Sequence, residues 1–132
     1  MNAVRWIVLV AAVEAAATGV ILIIVPALFD WLILGAELSE PGQALGRLAG
    51  IALFGFGLAS WPAPAVGGPT STVRALSIYN LLATIYLGYL GIAGKLAGVL
   101  LWPAVALHAV LAILVIYAWR ATRQRRRFLT FG

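Results

Sequence analysis

Four long apolar stretches constrain this chain more than any other feature. They predict helices over about residues 5–29, 46–64, 74–94 and 96–119. Each stretch is long enough to cross the hydrocarbon core of a bilayer, which takes about 20 residues of helix. Because backbone amides and carbonyls inside lipid must bond within their own segment, helices are expected rather than loops. The sequence therefore predicts an all-α integral membrane protein, a four-transmembrane-helix bundle formed by a single domain over residues 1–120.

The composition also indicates lipid as the solvent. Of the 132 residues, 64% are hydrophobic and 10% are charged, and the mean hydropathy is +1.05. An ordinary soluble domain is about 25% charged, and a small one cannot bury this much apolar surface. The chain has no cysteine, which excludes disulfide frameworks, thiolate metal sites and covalently attached c-type haem.

The distribution of basic residues predicts the orientation of the bundle. If the N-terminus is cytoplasmic, the outer loops contain only Arg47 and Lys95. Short segments rich in lysine and arginine stay on the cytoplasmic side. We therefore expect an N-in/C-in protein of a bacterial inner membrane. The inner segments carry the other seven basic residues: Arg5, Arg74, Arg120, Arg123, Arg125, Arg126 and Arg127.

The basic C-terminal tail, residues 121–132, directly follows the last apolar stretch. A basic cluster in this position is typical of a segment that contacts anionic lipid headgroups. Lipid is therefore the expected partner of the tail, and nucleic acid is not. The predicted membrane or partner contacts here are Arg120, Arg123, Arg125, Arg126, Arg127, Phe128 and Phe131.

The connection between the first two predicted helices has its own pattern. Residues 29–34 mix bulky apolar side chains with Asp30, and Gly35 and Pro41 interrupt the stretch. This mixture predicts a short interfacial segment on the outer surface, with Trp31 at the level of the lipid headgroups.

One short sequence echo links the second and fourth predicted helices. Residues 46–51 (GRLAGI) resemble residues 94–99 (GKLAGV), and both are expected at the outer start of a helix. A duplicated helical hairpin would produce this similarity, as in transporters with parallel repeats. Chance reuse of a common way to start a membrane helix is the alternative.

Glu14, Asn80 and His108 lie inside predicted membrane spans, where a strongly polar side chain is costly and needs a reason. Glu14 and His108 lie near the middle of the first and last helices, and Asn80 lies inward of the centre of the third. Small and polar residues recur at spacings of three and four on the helix faces, which favours close packing. If these faces turn inward, Glu14, Asn80 and His108 share a polar core. The predicted packing positions are Gly46, Gly50, Gly57, Ser77, Thr84, Gly88, Gly91, Ala104 and Ala112.

Two interpretations of this core remain open. In the first, a protonated Glu14 bonds to His108 or Asn80 and fixes the helix register. In the second, His108, Glu14 and Asn80 form a binding site: a Glu–His pair relays protons, or the imidazole ligates a haem iron or a chlorin magnesium. His108 is the only histidine, so neither a bis-histidine haem nor a histidine-pair metal site is expected. Tyr79 and Tyr86 are expected to face lipid or a partner.

The sequence contains no catalytic triad, phosphate loop or paired carboxylates, so we do not expect an enzyme. In size and layout the chain resembles the small four-helix proteins of bacterial inner membranes, including the DoxX-like group, although the resemblance is one of architecture alone. Two functions are compatible with these features. One is an accessory or structural subunit of a larger respiratory, photosynthetic or oxygenase-type membrane complex, which contacts protein partners or further copies of itself through its helices. The other is a stand-alone bundle whose Glu14/His108 site serves a cofactor (haem, chlorin or quinone), a proton or a transported small molecule.

Overall fold

A computed structural model describes residues 3–61, 70–94 and 96–130, with backbone alone for residues 70 and 121–130. The described chain forms five helices, of which α1, α3, α4 and α5 are long and apolar enough to cross a membrane. This confirms the all-helical class and the presence of four helices that could span a membrane, and it is consistent with a multipass membrane protein. The helices are α1 (Ala3–Ile24), α2 (Pro26–Leu34), α3 (Glu40–Ala59), α4 (Thr70–Ala93) and α5 (Leu101–Thr130).

The first apolar stretch does not continue to residue 29 as one helix. It breaks at Val25, whose backbone (φ −135°, ψ 60°) is not helical. A residue that precedes proline is driven out of the α region, and Pro26 then suits the first position of a new helix. The short helix α2 ends at Gly35, whose φ of 72° gives a left-handed cap.

The other helix boundaries also differ from the predicted ones. Helix α3 covers Glu40–Ala59 rather than 46–64, with a proline in its first turn, and α4 starts at Thr70 rather than 74. Helix α5 starts at Leu101 rather than 96, because the preceding backbone bonds to α2 instead: the Gly98 amide donates to the Ile33 carbonyl at 2.9 Å. At its other end, the α5 backbone remains helical to Thr130, so most of the predicted tail continues the helix.

The sequence echo therefore occupies two different structures. Residues 46–51 lie inside α3, whereas the described residues of 94–99 form the connection between α4 and α5. The expectation that both segments start a helix is wrong. The two similar segments adopt different structures because Gly94 takes a φ of 72° and ends α4.

Helices α1 and α3 form one hairpin, in which the two backbones touch. A Cβ atom added to Gly50 would lie 2.7 Å from the Gly19 carbonyl oxygen, and one added to Gly57 would lie 2.7 Å from the Ala12 carbonyl oxygen. Only glycine permits such an approach between membrane helices. Gly50 and Gly57 are thus at packing contacts, while Gly46 has looser neighbours at 3.9 Å.

Helices α4 and α5 form the second hairpin, in which Gly91 packs against the Trp102 indole. Of the other predicted packing residues, Ala112 and Ser77 are buried, and Ala104 and Thr84 are partly buried. Gly88 differs from its prediction, since a Cβ added there would meet no atom within 4 Å.

The seam between the hairpins is formed mainly by α1 against α4 and α5. Its apolar core consists of side chains from these three helices: Val8, Ala11, Val73, Leu76, Leu111 and Val115. Among the described residues, no Cα atom of α3 lies within 8 Å of one in α4 or α5. An open cleft of about 450 Å³ separates α3 from α4, with Ala52, Leu53, Phe56, Ala75, Ile78 and Tyr79 as its lining.

Candidate functional site

Glu14 of α1, Asn80 of α4 and His108 of α5 meet at the seam, and we call these three residues the polar centre. The imidazole Nδ1 of His108 lies 3.0 Å from the Asn80 side-chain oxygen. The other ring nitrogen, Nε2, lies 3.7 Å from Glu14 Oε1. Asn80 is fully buried and His108 is 7% exposed. The structure thus brings together the three residues that the helix faces placed in one core.

Helices α1 and α4 each position their polar side chain with a bond one turn away. On α1, the Thr18 hydroxyl donates to Glu14 Oε1 at 3.1 Å. On α4, the Asn80 amide nitrogen donates to the Leu76 carbonyl at 2.9 Å. These bonds within a helix orient the side chains of Glu14 and Asn80.

The orientation of Asn80 determines which nitrogen of His108 carries a proton. Its amide nitrogen bonds to the Leu76 carbonyl, so its oxygen must face the imidazole. An amide oxygen only accepts, so Nδ1 must be the donor. In a neutral imidazole the lone pair is then on Nε2, which faces Glu14. The pair has two states with the same number of protons: both residues neutral, or a Glu14 carboxylate beside a His108 imidazolium. In both states one proton is shared between Oε1 and Nε2.

Glu14 has one oxygen that the described part of the chain leaves without a hydrogen bond. Oε2 is buried and has no hydrogen-bond partner among the described residues. A buried polar atom without a partner costs about 1–3 kcal/mol. This oxygen is therefore the one atom of the polar centre whose hydrogen bonding the described residues leave open.

Tyr79 adjoins the polar centre, which the sequence did not indicate. Its ring meets His108 edge-on, with centroids 5.6 Å apart, and packs against Phe56 at 5.5 Å. Sequence spacing paired Tyr79 with Tyr86 on an outward face, but only Tyr86 is largely exposed. The one available signal was the position of Tyr79 next to Asn80 in the sequence.

The polar centre does not fit a haem or a chlorin at His108. Axial ligation needs an accessible lone pair on the imidazole, yet Nδ1 donates to Asn80 and the lone pair on Nε2 is covered by Glu14 Oε1 at 3.7 Å. The ring is also almost completely buried. A macrocycle would have to push α1 away from α5, which the packed core of the seam opposes.

A second buried acid, Asp30, lies outside the membrane spans in α2. It is 3% exposed, and its Oδ2 has no partner among the described residues. Burial raises the pKa of the Asp30 carboxyl, the hydrogen bond from the Leu38 amide opposes the rise, and the charge of Glu37 adds to it. The sequence placed this acid in an interfacial segment but did not indicate that it is buried.

The predicted membrane contacts are described only in part. The Trp31 side chain is 59% exposed on α2, and Arg120 is exposed near the end of the α5 span. Phe131 lies outside the described residues. For Arg123, Arg125, Arg126, Arg127 and Phe128, the described structure extends only to their helical backbone.

No protein-family model matches this sequence, and neither the curated proteins nor the solved structures contain a match. What the protein does must therefore be inferred from its own residues.

Proposed function

We propose that this chain is a non-enzymatic multipass membrane protein whose functional element is a proton shared by Glu14 and His108. The observation that carries the proposal is the position of the pair: one member on each hairpin, with Asn80 directing the free nitrogen of His108 toward Glu14. The geometry thus favours the second of the two functions that the sequence allows.

Glu14 and His108 are not joined by a hydrogen bond, which argues against a role in helix packing alone. Side chains that serve only to fix helix register have their polar atoms bonded. Here Glu14 Oε2 has no partner among the described residues, and the 3.7 Å between Oε1 and Nε2 exceeds a hydrogen bond. A small approach of the two hairpins would close the pair. Binding of a proton and the spacing of the hairpins are therefore expected to depend on each other.

Infrared difference spectroscopy at varied pH, on protein in lipid nanodiscs, tests the proposal directly. We expect a carboxyl band that disappears in Glu14→Gln and an imidazole band that changes in the same variant. Glu40→Gln is the matched control, because this acid lies at the start of α3, away from the polar centre. A wild-type spectrum that Glu14→Gln leaves unchanged would refute a shared proton.

We propose further that both termini are cytoplasmic in a bacterial inner membrane. The start of α1 and the end of the α5 span lie at the same end of the bundle, where Val8 shares a core with Leu111 and Val115. That end also carries most of the basic residues. The opposite end, with α2 and the exposed Trp31, then lies at the outer interface.

Single-cysteine labelling can test this orientation, because the chain has no native cysteine. A membrane-impermeant maleimide should label Ser39→Cys in spheroplasts, which lack the outer membrane but keep the inner membrane intact. It should label Arg120→Cys only after the inner membrane is opened. The reverse pattern would contradict the proposed orientation.

The α5 extension is the proposed contact with anionic lipid. Its backbone is helical to Thr130, and positions 120, 123 and 127 fall on one face by helical spacing. Vesicles with and without anionic lipid provide the test. Loss of residues 121–132 should remove the preference of the protein for anionic lipid.

A role as accessory subunit of a larger membrane complex is the second candidate, and the surface of α3 favours it. Within the chain, α3 buries only Gly50 and Gly57, so most of this helix is available to a partner. Native electrophoresis of gently solubilised membranes, with mass spectrometry of the band, tests this function. A heavy band with other subunits supports it, whereas a band with this chain alone contradicts it. In a complex, deletion of residues 121–132 is expected to release the protein from its partner.

A further inference from the structure

Thr18 uses its hydroxyl differently from two hydroxyls inside α4. The Ser77 and Thr84 hydroxyls each donate to the backbone carbonyl one turn back, at 2.8 Å. This is a common way for a serine or threonine inside a helix to be satisfied. The partly buried Thr18 instead donates to a side chain, Glu14 Oε1, at 3.1 Å. Its hydroxyl is therefore directed at the polar centre rather than at the backbone of its own helix.

The bond from Thr18 goes to the oxygen of Glu14 that faces His108. Oε1 accepts from Thr18 and lies 3.7 Å from Nε2 of His108, while Oε2 is buried without a partner among the described residues. Each oxygen of a carboxyl group can accept separately, so one contact on each would leave neither without a partner. Thr18 and His108 instead meet at the same atom. Thr18 therefore acts on the oxygen that shares the proton.

The hydrogen bond from Thr18 is stronger when Glu14 is a carboxylate. A hydrogen bond to an ionised acceptor is roughly twice as strong as one between neutral groups, and an Oε1 that carries the shared proton is a neutral acceptor. Asn80 acts in the same direction from the other side: its oxygen accepts from Nδ1, and that bond strengthens when His108 is an imidazolium. Burial opposes both effects, since an apolar environment disfavours charge. The two bonds therefore move the shared proton from Oε1 toward Nε2.

We propose that Thr18 is a positioning residue for the shared proton. Its hydroxyl holds Oε1 toward His108 and favours the state in which Nε2 carries the proton. In this step the proton leaves Oε1 and binds to the lone pair of Nε2, so the number of protons and the total charge of the pair stay the same. The inference rests on the proposed function, because Thr18 can direct only a proton that Glu14 and His108 share.

Solid-state NMR of the full chain in lipid, with ¹⁵N-labelled histidine, reports the position of this proton. His108 is the only histidine, so protein without a histidine tag gives a single Nε2 signal. We expect Thr18→Val, at constant pH, to move this signal toward the chemical shift of an unprotonated nitrogen. Valine keeps the branched shape of threonine and removes the hydroxyl that bonds to Glu14.

Two further variants separate positioning from packing. Thr18→Ser retains a hydroxyl and should return the Nε2 signal to its wild-type chemical shift. Ser77→Ala is the matched control, because it removes a buried helix hydroxyl that bonds to the backbone, and it should leave the signal in place. If Thr18→Val does not fold, Thr18→Ala replaces it.

Glu14→Gln distinguishes a failure of this inference from a failure of the proposed function. If Glu14→Gln moves the Nε2 signal but Thr18→Val leaves it in place or moves it the other way, the shared proton stands and the role of Thr18 is wrong. An equal movement in Ser77→Ala, or no recovery in Thr18→Ser, would assign the effect to packing and also overturn that role. If Glu14→Gln leaves the signal at its wild-type position, the proposed shared proton itself is wrong.

Discussion

The contacts inside the α1/α3 hairpin and those at the seam between the hairpins are of different kinds. Inside the hairpin, Gly50 and Gly57 let one backbone touch the other, with 2.7 Å between an added Cβ and the facing carbonyl oxygen. At the seam, side chains meet, and one polar pair lies 3.7 Å apart. Backbone contacts leave no room for adjustment, whereas a side-chain seam can shift. This contrast predicts that any relative movement of the two hairpins would occur at the seam.

The largest expected effect is on the backbone contact between α1 and α3. Gly57→Leu places a side chain against Ala12 and Ala16, and such overpacking should lower the free energy of unfolding by at least about 2 kcal/mol. Gly55→Leu is the control, because a Cβ there meets no atom within 4 Å. Thermal unfolding in mild detergent measures both. Equal losses in the two variants would contradict a backbone contact at Gly57.

The next effect is on the buried bond that orients the imidazole. Asn80→Leu leaves the His108 Nδ1 donor without its acceptor, which should cost about 1–3 kcal/mol of stability. His108→Leu combined with Asn80→Leu removes both partners and should recover part of that loss. If the double variant is less stable by the sum of the two single effects, the two residues are not coupled.

A smaller effect on stability is expected at the open pair. Glu14→Gln breaks no hydrogen bond to His108, since Oε1 and Nε2 are 3.7 Å apart, so the loss should stay below about 1 kcal/mol. Chemical denaturation of Glu14→Gln and of the wild type measures this difference in the free energy of unfolding. A loss as large as that of Asn80→Leu would mean that the pair is a structural bond and the seam is closed.

The smallest effect is expected at Asp30, in the short helix α2. Burial raises its pKa above the ordinary value of 3.8, so the folded protein binds this proton more tightly than the unfolded chain does. The contribution of Asp30 to stability is therefore greatest below pH 3.8 and decreases as the pH rises through the raised folded value. In Asp30→Asn the decrease should be smaller, as thermal unfolding across this pH range would reveal. An unchanged pH dependence would show that another group causes it.

Periodicity was enough to predict the polar centre, since Glu14, Asn80 and His108 each lie on a small or polar helix face. It did not predict the role of Tyr79, because an aromatic residue at helical spacing suits lipid and protein contacts equally. It also missed the start of α5 at Leu101. That start depends on hydrogen bonds from residues 98 and 100 to α2, and no local pattern encodes a bond between distant segments.

The sequence by itself determined the number of spans and the residues of the polar centre, because hydrophobic length and the cost of buried polar groups act on each helix separately. Only the tertiary structure decided which atoms face each other: Nε2 of His108 toward Glu14, an Oε2 with no partner among the described residues, and a cleft between α3 and α4. These features depend on how the two hairpins meet. A difference of about 1 Å between a closed and an open hydrogen bond is set by packing across the whole seam, which no single segment of sequence contains.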